Sequence, residues 1–162
     1  MHKNIFTAAL AFFLIATACN DQATIEQLPT YVDVIDVKDS TLPTKNLTEL
    51  TKDQNSLIFF YRADCPFCKE QLTYYIGKYN HINNFQIILA STGSTAEAIN
   101  FQQELGIDTL SKFKHVIDKN QDLWKYAGAT GVPYNIIVNK QQEIALRQGG
   151  ILTIGTVENV LH

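Results

Sequence analysis

Cys65 and Cys68 are the residues of this sequence best suited to covalent chemistry, and they enclose Pro66 and Phe67. The apolar run at 56–61 directly precedes them, and a C-x-x-C pair between a buried strand and a helix is typical of a thiol–disulfide redox centre. Pro66 suits the first helical position, so Cys65 falls at the helix N-terminus, where free N–H groups and the helix dipole favour a thiolate. We therefore predict that Cys65 is the attacking nucleophile.

The second cysteine is expected to lie beneath the first. At helical spacing, Cys68 shares one apolar face with Leu72, Tyr75, Ile76 and Tyr79. This pattern turns Cys68 toward the interior, as a sheltered resolving thiol that closes the disulfide with Cys65. Among the neighbouring charges, Lys69 would favour the Cys65 thiolate and Asp64 would oppose it, and the sequence leaves their sum open.

Composition and histidine spacing argue against other kinds of site. The 13 Lys and Arg against 16 Asp and Glu leave a net charge of −3, so nucleic acid is not expected as a partner. A zinc site would need two further ligands, and His81, His115 and His162 show no paired spacing. Lys69 follows Cys68 where a haem attachment signature has His. We therefore predict no metal and no dissociable cofactor.

The first 18 residues have the pattern of an export signal. A basic start precedes an apolar stretch at 5–16, which is shorter than the ~20 residues of a membrane-spanning helix. The small residues at 16–18 suit an ordinary leader peptidase, and the same bond before Cys19 resembles the cleavage site of a bacterial lipoprotein. Cys65 and Cys68 form a natural pair, which leaves Cys19 as an unpaired thiol, and lipidation would remove that free thiol. We predict a signal peptide at 1–18 and a lipid on Cys19, with ordinary cleavage as the open alternative.

The mature chain is expected to have two parts. Residues 19–44 would form a lipid-anchored tether with a short N-terminal strand, and residues 45–162 would form the folded domain. Lipid chains would hold that domain at a membrane surface, facing the periplasm or the cell exterior. The protein is therefore predicted to be an exported, membrane-anchored bacterial lipoprotein.

The order of elements predicts an α/β domain. Apolar and β-branched runs predict strands, and amphipathic runs with capping signals predict helices. The expected strands lie near residues 31–37, 56–61, 85–90, 115–117, 135–138 and 143–146. The expected helices lie within 44–53 and at 66–79, 94–105 (closed by Gly106), 122–126 and 153–161. This order corresponds to a mixed central sheet with helices on both faces, a C-terminal β-hairpin and a closing helix.

A Gly-Val-Pro motif ending at Pro133 stands ~65 residues after the cysteines and leads into a strand. Together with C-x-x-C, it resembles the thioredoxin-fold proteins, and most of all the membrane-tethered, extracytoplasmic TlpA/ResA-like reductases, over residues 45–162. The resemblance implies that the Val132–Pro133 peptide bond is cis. It also implies that the Val132 backbone pairs with an extended substrate and that Pro133 keeps metal from the thiols. Pro66 and Phe67 would complete this substrate-binding surface.

Three positions depart from the pattern of that group. Many members have Trp before the first cysteine, where this chain has Asp64. Thioredoxins bury an acid six residues before the first cysteine, where Phe59 stands, so the proton of the resolving thiol would leave through water or another group. Some cytochrome-maturation relatives have an acid between the cysteines, and Pro66 and Phe67 supply none. Potentials of such pairs run from about −270 to about −120 mV, so only the resemblance to tethered reductases favours reduction.

These observations predict an exported, tethered thiol–disulfide oxidoreductase that exchanges disulfides with protein substrates through Cys65 and Cys68, acting as a reductase. Its partners would be disulfide-containing proteins, an electron donor that the sequence does not identify, and the membrane; we expect a monomer. Two alternatives stay open. A thiol peroxidase would normally have a hydroxyl residue three positions before its reactive cysteine, where this chain has Arg62. A non-catalytic binding module or copper chaperone would use the same fold without turnover.

Overall fold

The computed structural model describes residues 25–39 and 44–162, which contain seven strands and five helices. The strands are β1 (Asp33–Asp36), β2 (Lys45–Asn46), β3 (Ser56–Tyr61), β4 (Gln86–Ser91), β5 (Phe113–Ile117), β6 (Tyr134–Val138) and β7 (Ile144–Gly149). The helices are α1 (Leu47–Leu50), α2 (Pro66–Gly77), α3 (Thr95–Leu105), α4 (Asp122–Ala127) and α5 (Ile154–Leu161), with 3-10 turns at Val37–Asp39 and Tyr79–His81. None of these described helices is both long and apolar enough to cross a membrane. The predicted signal peptide and Cys19 lie outside the described residues.

One mixed sheet carries all seven described strands, in the order β2-β1-β5-β4-β3-β6-β7. Strands β3, β4 and β5 run parallel to one another. Strands β6 and β7 form an antiparallel hairpin, and β6 pairs antiparallel with β3. The predicted mixed α/β architecture, with its closing hairpin and final helix, is confirmed.

Two apolar cores on opposite faces of the sheet hold the helices in place. All six residues of β3 are buried, and they alternate between the cores. Phe59 packs in the core that contains α2 and α5, whereas Phe60 packs in the core that contains α1 and α4. Burying one such side chain stabilises the fold by about 1.5–3 kcal/mol. Because β3 is buried on both faces, its C-terminal end gives a fixed position to the residues that follow it.

The caps of α3 confirm the limits predicted for that helix. The Ser94 hydroxyl accepts from the N–H of Glu97 at 3.2 Å, and the Glu97 carboxylate accepts from the N–H of Ser94 at 2.7 Å. Gly106 ends the helix in the left-handed conformation, at φ 65°, which glycine adopts without a steric penalty.

The segment before β1 packs against the edge of the sheet formed by β7. Residues 26–28 run antiparallel to the chain that enters β7 and make two backbone hydrogen bonds of 2.8 Å with it. Leu28 is buried in the core beneath. The side chains of Tyr126 and Arg147 both hydrogen-bond to the carboxylate of Glu26. Part of the segment predicted as a tether therefore lies on the folded domain.

A buried hydrogen bond joins β3 to β5. The Tyr61 hydroxyl and Nε2 of His115 share this bond, and the Tyr61 ring stacks on Phe101 with 4.6 Å between centroids. His115 is buried, and its Nδ1 has no hydrogen-bond partner among the described residues. Burial lowers the pKa of His115 to about 3, against an opposing effect of the Asp36 charge. His115 is therefore neutral in the folded protein at neutral pH.

We predict that His115 makes the fold sensitive to acid. The unfolded histidine takes up a proton below about pH 6.5, whereas the folded one stays neutral down to about pH 3. Between these values the unfolded state binds more protons, so the free energy of unfolding falls as the pH is lowered, by up to about 1.4 kcal/mol per pH unit. Denaturant unfolding at several pH values should show a smaller slope for His115→Gln than for wild type.

The exposed His81 provides the matched control. His81→Gln should keep the wild-type slope. An unchanged slope in His115→Gln would contradict the prediction.

Candidate active site

Cys65 lies where β3 ends and α2 begins. It is the N-cap residue of α2 with an extended backbone (φ −88°, ψ 112°), and Pro66 occupies the start of the helix. The N–H of Cys68 donates to Sγ of Cys65 at 3.2 Å. The sulfur thus takes the place of the side-chain oxygen that usually caps a helix. A partly exposed sulfur therefore receives both a backbone donor and the positive end of the helix dipole.

Cys68 lies one turn into α2 and is fully buried. It packs in the same core as Phe59, Leu72 and Tyr75, which confirms the apolar face predicted for this helix. Burial, followed by the hydrogen bond with Cys65, raises the pKa of Cys68 to about 12. Both cysteines are free thiols in this structure. They differ in access, because Cys65 reaches solvent and Cys68 is shielded from it.

The charges beside Cys65 are paired with opposite charges. Arg62 donates to both carboxylate oxygens of Asp64, at 3.0 Å and 2.6 Å. Lys69 forms an ion pair of 2.7 Å with Glu104 on α3. Both charges therefore have a partner of opposite sign, and the Asp64 charge still contributes to the raised pKa of Cys68. The start of α2 supplies the backbone donor that reaches the Cys65 sulfur.

The loop before β6 brings Val132, which is followed by Pro133, against Cys65. The peptide bond between Val132 and Pro133 is cis, as the resemblance implied. The thiol of Cys65 donates to the carbonyl oxygen of Val132 over an S···O distance of 3.9 Å. Two motifs that are 67 positions apart in the chain thus meet at one sulfur.

An open groove of about 520 Å³ lies next to Pro133. Its walls are Phe67 of α2, residues 130–134 at the entry to β6, and residues Gly149–Ile151 at the end of β7. Phe67 is 60% exposed and Ile151 is 48% exposed, so the groove has apolar side chains facing solvent at its rim. Pro66 is exposed beside Phe67 but does not line the groove. The groove has the size and chemistry for an extended polypeptide segment with an apolar side chain.

Phe59 occupies the position at which thioredoxins bury an acid. Its ring packs edge-on against Tyr75, with 6.3 Å between centroids. The titratable pair in the same region does not replace that acid, since Tyr61 stays protonated and the neutral His115 is a very weak base. Burial raises the pKa of Tyr61 and lowers that of His115 to about 3. That the proton of Cys68 leaves through water or another group stays a prediction.

A buried polar network beneath the groove was not predicted from the sequence. Gln71 lies three positions after Cys68 and is buried. Its amide nitrogen contacts the Tyr75 hydroxyl, the side-chain oxygen of Asn135 and the carbonyl of Leu152. A polar residue next to the apolar face of α2 was a signal in the sequence. Its partners Asn135 and Leu152 reach it through long-range packing, and no sequence signal indicates that pairing.

Within the described residues, neither a metal-binding cluster nor the second cavity adds to this site. Within the described ranges, no group of three or more His, Cys, Asp and Glu side chains is placed to hold a metal ion. A larger cavity of about 810 Å³ lies at the other end of β3, between polar loops that include Lys52 and Lys140. Cys19, the predicted lipidation site, lies outside the described residues.

Solved structures of redox proteins share the fold of this chain. The thioredoxin domain of a thiol-disulfide oxidoreductase from Bacteroides vulgatus has a TM-score of 0.65 and 22% identity, over 85% of this chain and 95% of that one. A thiol-disulfide isomerase from Corynebacterium glutamicum has a TM-score of 0.64 and 14% identity, over 85% and 94%. StoA from Bacillus subtilis has a TM-score of 0.59 and 19% identity, over 82% and 98%. At these identities the likeness establishes a thioredoxin-like fold.

Sequence comparison assigns a family directly. No curated protein matches the chain significantly over its sequence. The sequence profile of the AhpC/TSA family matches residues 32–147, a range that includes both cysteines and Pro133. Because this match spans most of the chain, the protein belongs to the AhpC/TSA family.

Proposed function

We propose that the chain is a thiol–disulfide oxidoreductase that exchanges disulfides with protein substrates through Cys65 and Cys68. The observation that carries the proposal is the contrast between the two sulfurs. Cys65 is accessible and caps a helix N-terminus, with the N–H of Cys68 at 3.2 Å, whereas Cys68 is buried directly behind it. The thioredoxin-like fold and the family support a redox role for this pair.

The exchange begins with the reduced protein. The Cys65 thiolate attacks one sulfur of a substrate disulfide, whose S–S bond breaks as a mixed disulfide forms, and the other substrate sulfur leaves as a thiolate. Cys68 then loses its proton and attacks the sulfur of Cys65. The second substrate thiolate leaves, and the protein now holds a Cys65–Cys68 disulfide. Two electrons have passed to the substrate, and an external dithiol restores the starting state.

The environment of Cys68 sets the order of these steps. Its raised pKa keeps it a thiol while Cys65 reacts. In the mixed disulfide Cys65 carries no negative charge, so its contribution to that raised pKa disappears and burial remains as the main cause. Deprotonation of Cys68 therefore becomes easier only after substrate has been captured.

We further propose that the protein acts as an exported reductase of the TlpA/ResA-like kind. Residues 1–18 would be removed as a signal peptide and Cys19 would carry the lipid, which would hold the domain at the membrane facing the periplasm or the cell exterior. Residues 45–162 would be the catalytic domain. The resemblance to membrane-tethered reductases supports this direction, and the apolar groove beside Pro133 supports protein substrates.

A thiol peroxidase is the second candidate, because the AhpC/TSA family match favours it. In that reaction the Cys65 thiolate would attack one peroxide oxygen, and a protonated second oxygen would leave as water. The resulting sulfenic acid would lose a further water when Cys68 attacks the Cys65 sulfur. Arg62 stands where a hydroxyl donor is expected, and its guanidinium is engaged by Asp64. The disulfide-exchange proposal therefore fits the site better.

We predict that Cys68→Ser traps a mixed disulfide between Cys65 and substrate, because the resolving sulfur is gone. Insulin reduction with dithiothreitol as electron source should fall to the background rate in Cys65→Ser, since a serine hydroxyl is a far weaker nucleophile than a thiolate. Mass spectrometry of adducts from cells that express each variant measures the capture, with Cys65→Ser as the matched control.

Two outcomes would contradict this mechanism. One is an absence of adducts in Cys68→Ser combined with no insulin reduction by wild type and copper bound to the purified protein. The other is a wild-type protein that consumes peroxide rapidly but reduces insulin only slowly.

The reductase direction predicts a potential for the Cys65/Cys68 couple that is more negative than about −200 mV. A stabilised disulfide form makes the dithiol a better electron donor. Equilibration of the protein with glutathione or dithiothreitol buffers, followed by alkylation and mass analysis, measures the potential. A value near about −120 mV would assign the protein to disulfide formation instead.

The lipid anchor predicts that Cys19→Ser moves the protein from the membrane fraction to the soluble extracytoplasmic fraction. Several acyl chains are needed for stable anchoring, and no acyl chain can be attached to the serine. Fractionation of cells that express the full chain, with mass analysis of the mature N-terminus, measures this. Wild type in the soluble fraction, with an unmodified Cys19, would show ordinary cleavage.

A further inference from the structure

We propose that Gln71 is a positioning residue that holds the wall of the substrate groove against the helix that carries the cysteines. The inference rests on the proposed function and deepens it, because it makes the groove a determinant of specificity. Polypeptide disulfides would depend on this wall, whereas small disulfides that reach Cys65 directly would not.

The contacts of Gln71 cross from α2 to the segment after β7. The amide nitrogen of Gln71 donates to the Tyr75 hydroxyl at 2.6 Å and approaches the Leu152 carbonyl at 3.4 Å. The Tyr75 hydroxyl donates to the same carbonyl at 2.8 Å. The side chains of Gln71 and Tyr75 thus share the carbonyl oxygen of Leu152. Leu152 directly follows the groove residues Gly149–Ile151.

A second route leads from Gln71 to the Pro133 loop. The amide nitrogen of Gln71 donates to the side-chain oxygen of Asn135 at 3.3 Å. The side-chain nitrogen of Asn135 donates to the Gly150 carbonyl at 2.8 Å, and the Gly150 N–H donates to the Pro133 carbonyl at 2.8 Å. Both walls of the groove are therefore linked to the cysteine helix through Gln71.

The energetics of Gln71 point to a role beyond packing. The residue is 1% exposed, and its Oε1 has no hydrogen-bond partner within the described residues. An unpaired buried oxygen destabilises a fold, and a leucine would fill a similar volume without one. The donors of Gln71 therefore serve the alignment of the groove at a cost in stability.

The alignment affects polypeptide substrates selectively. An extended chain must pair with the backbone near Val132 and pass Ile151 while its sulfur reaches Cys65. A displaced wall weakens the binding of an extended chain before any sulfur reacts, so KM rises while the chemical step at Cys65 is unchanged. DTNB, a small aromatic disulfide, needs only the exposed sulfur.

The test compares insulin and DTNB as substrates of the reduced protein. In Gln71→Leu, the KM for insulin should rise about tenfold, as expected for the loss of buried hydrogen bonds, while kcat and the DTNB rate stay unchanged. Tyr75→Phe, which removes one hydroxyl and retains the ring, should give a smaller rise in KM. Gln102→Leu is the matched control, because Gln102 is a buried glutamine on α3 away from the groove, and it should behave as wild type.

Hydrogen exchange provides a readout that does not depend on turnover. The N–H of Gly150 should exchange faster in Gln71→Leu than in wild type or Gln102→Leu, because the wall is released. Unchanged exchange and unchanged KM would overturn the inference, as would an equal loss of activity toward insulin and DTNB. If wild type reduces neither probe, the proposed function fails, and the exchange rate at Gly150 alone decides the positioning role.

Discussion

The hydrogen bond from the N–H of Cys68 to the sulfur of Cys65 is the interaction on which the candidate site depends. It forms only if the cysteine is the last extended residue before α2, and the buried strand β3 brings the chain to that point. Strand β6 then places the second motif. It pairs antiparallel with β3, with Phe60 opposite Tyr134, so the residues just before β6 lie beside those just after β3. Sheet register thus explains why Val132 meets Cys65.

The two cysteines differ because they lie on opposite sides of a boundary between solvent and core. Cys65 caps the helix at the surface, whereas Cys68 is surrounded by apolar side chains such as Leu72. Low polarity disfavours a charged sulfur, so burial at Cys68 and the helix cap at Cys65 together separate the chemical roles of two identical residues. Phe59 packs in the same core and adds an aromatic ring to the apolar surroundings of Cys68.

Local signals predicted most of the fold. The boundaries of α3 followed from Ser94 and Gly106, and the start of α2 followed from Pro66, because capping and proline preferences act within a few residues. The pairing of the two motifs followed from a family resemblance. The ion pair between Lys69 and Glu104 could not be predicted, since it depends on how α2 packs beside α3.

The same limit applies to the buried polar contacts. The hydrogen bond between Tyr61 and His115 requires strands β3 and β5 to lie on either side of β4, and the contact between Gln71 and Asn135 requires α2 to cross β6. Neither arrangement leaves a trace in local periodicity. The signal peptide, the lipid on Cys19 and the domain boundaries stay predictions.

The short segment at 26–28 affects how readily the sheet can pair with strands of other proteins. An open strand edge offers unpaired backbone groups that recruit other extended chains and begin aggregates. Here the entry to β7 is occupied by the protein's own N-terminal residues, and the opposite edge strand, β2, is only two residues long. This covering shortens the stretch of β7 with which a foreign extended chain could pair, and so it limits aggregation through the sheet.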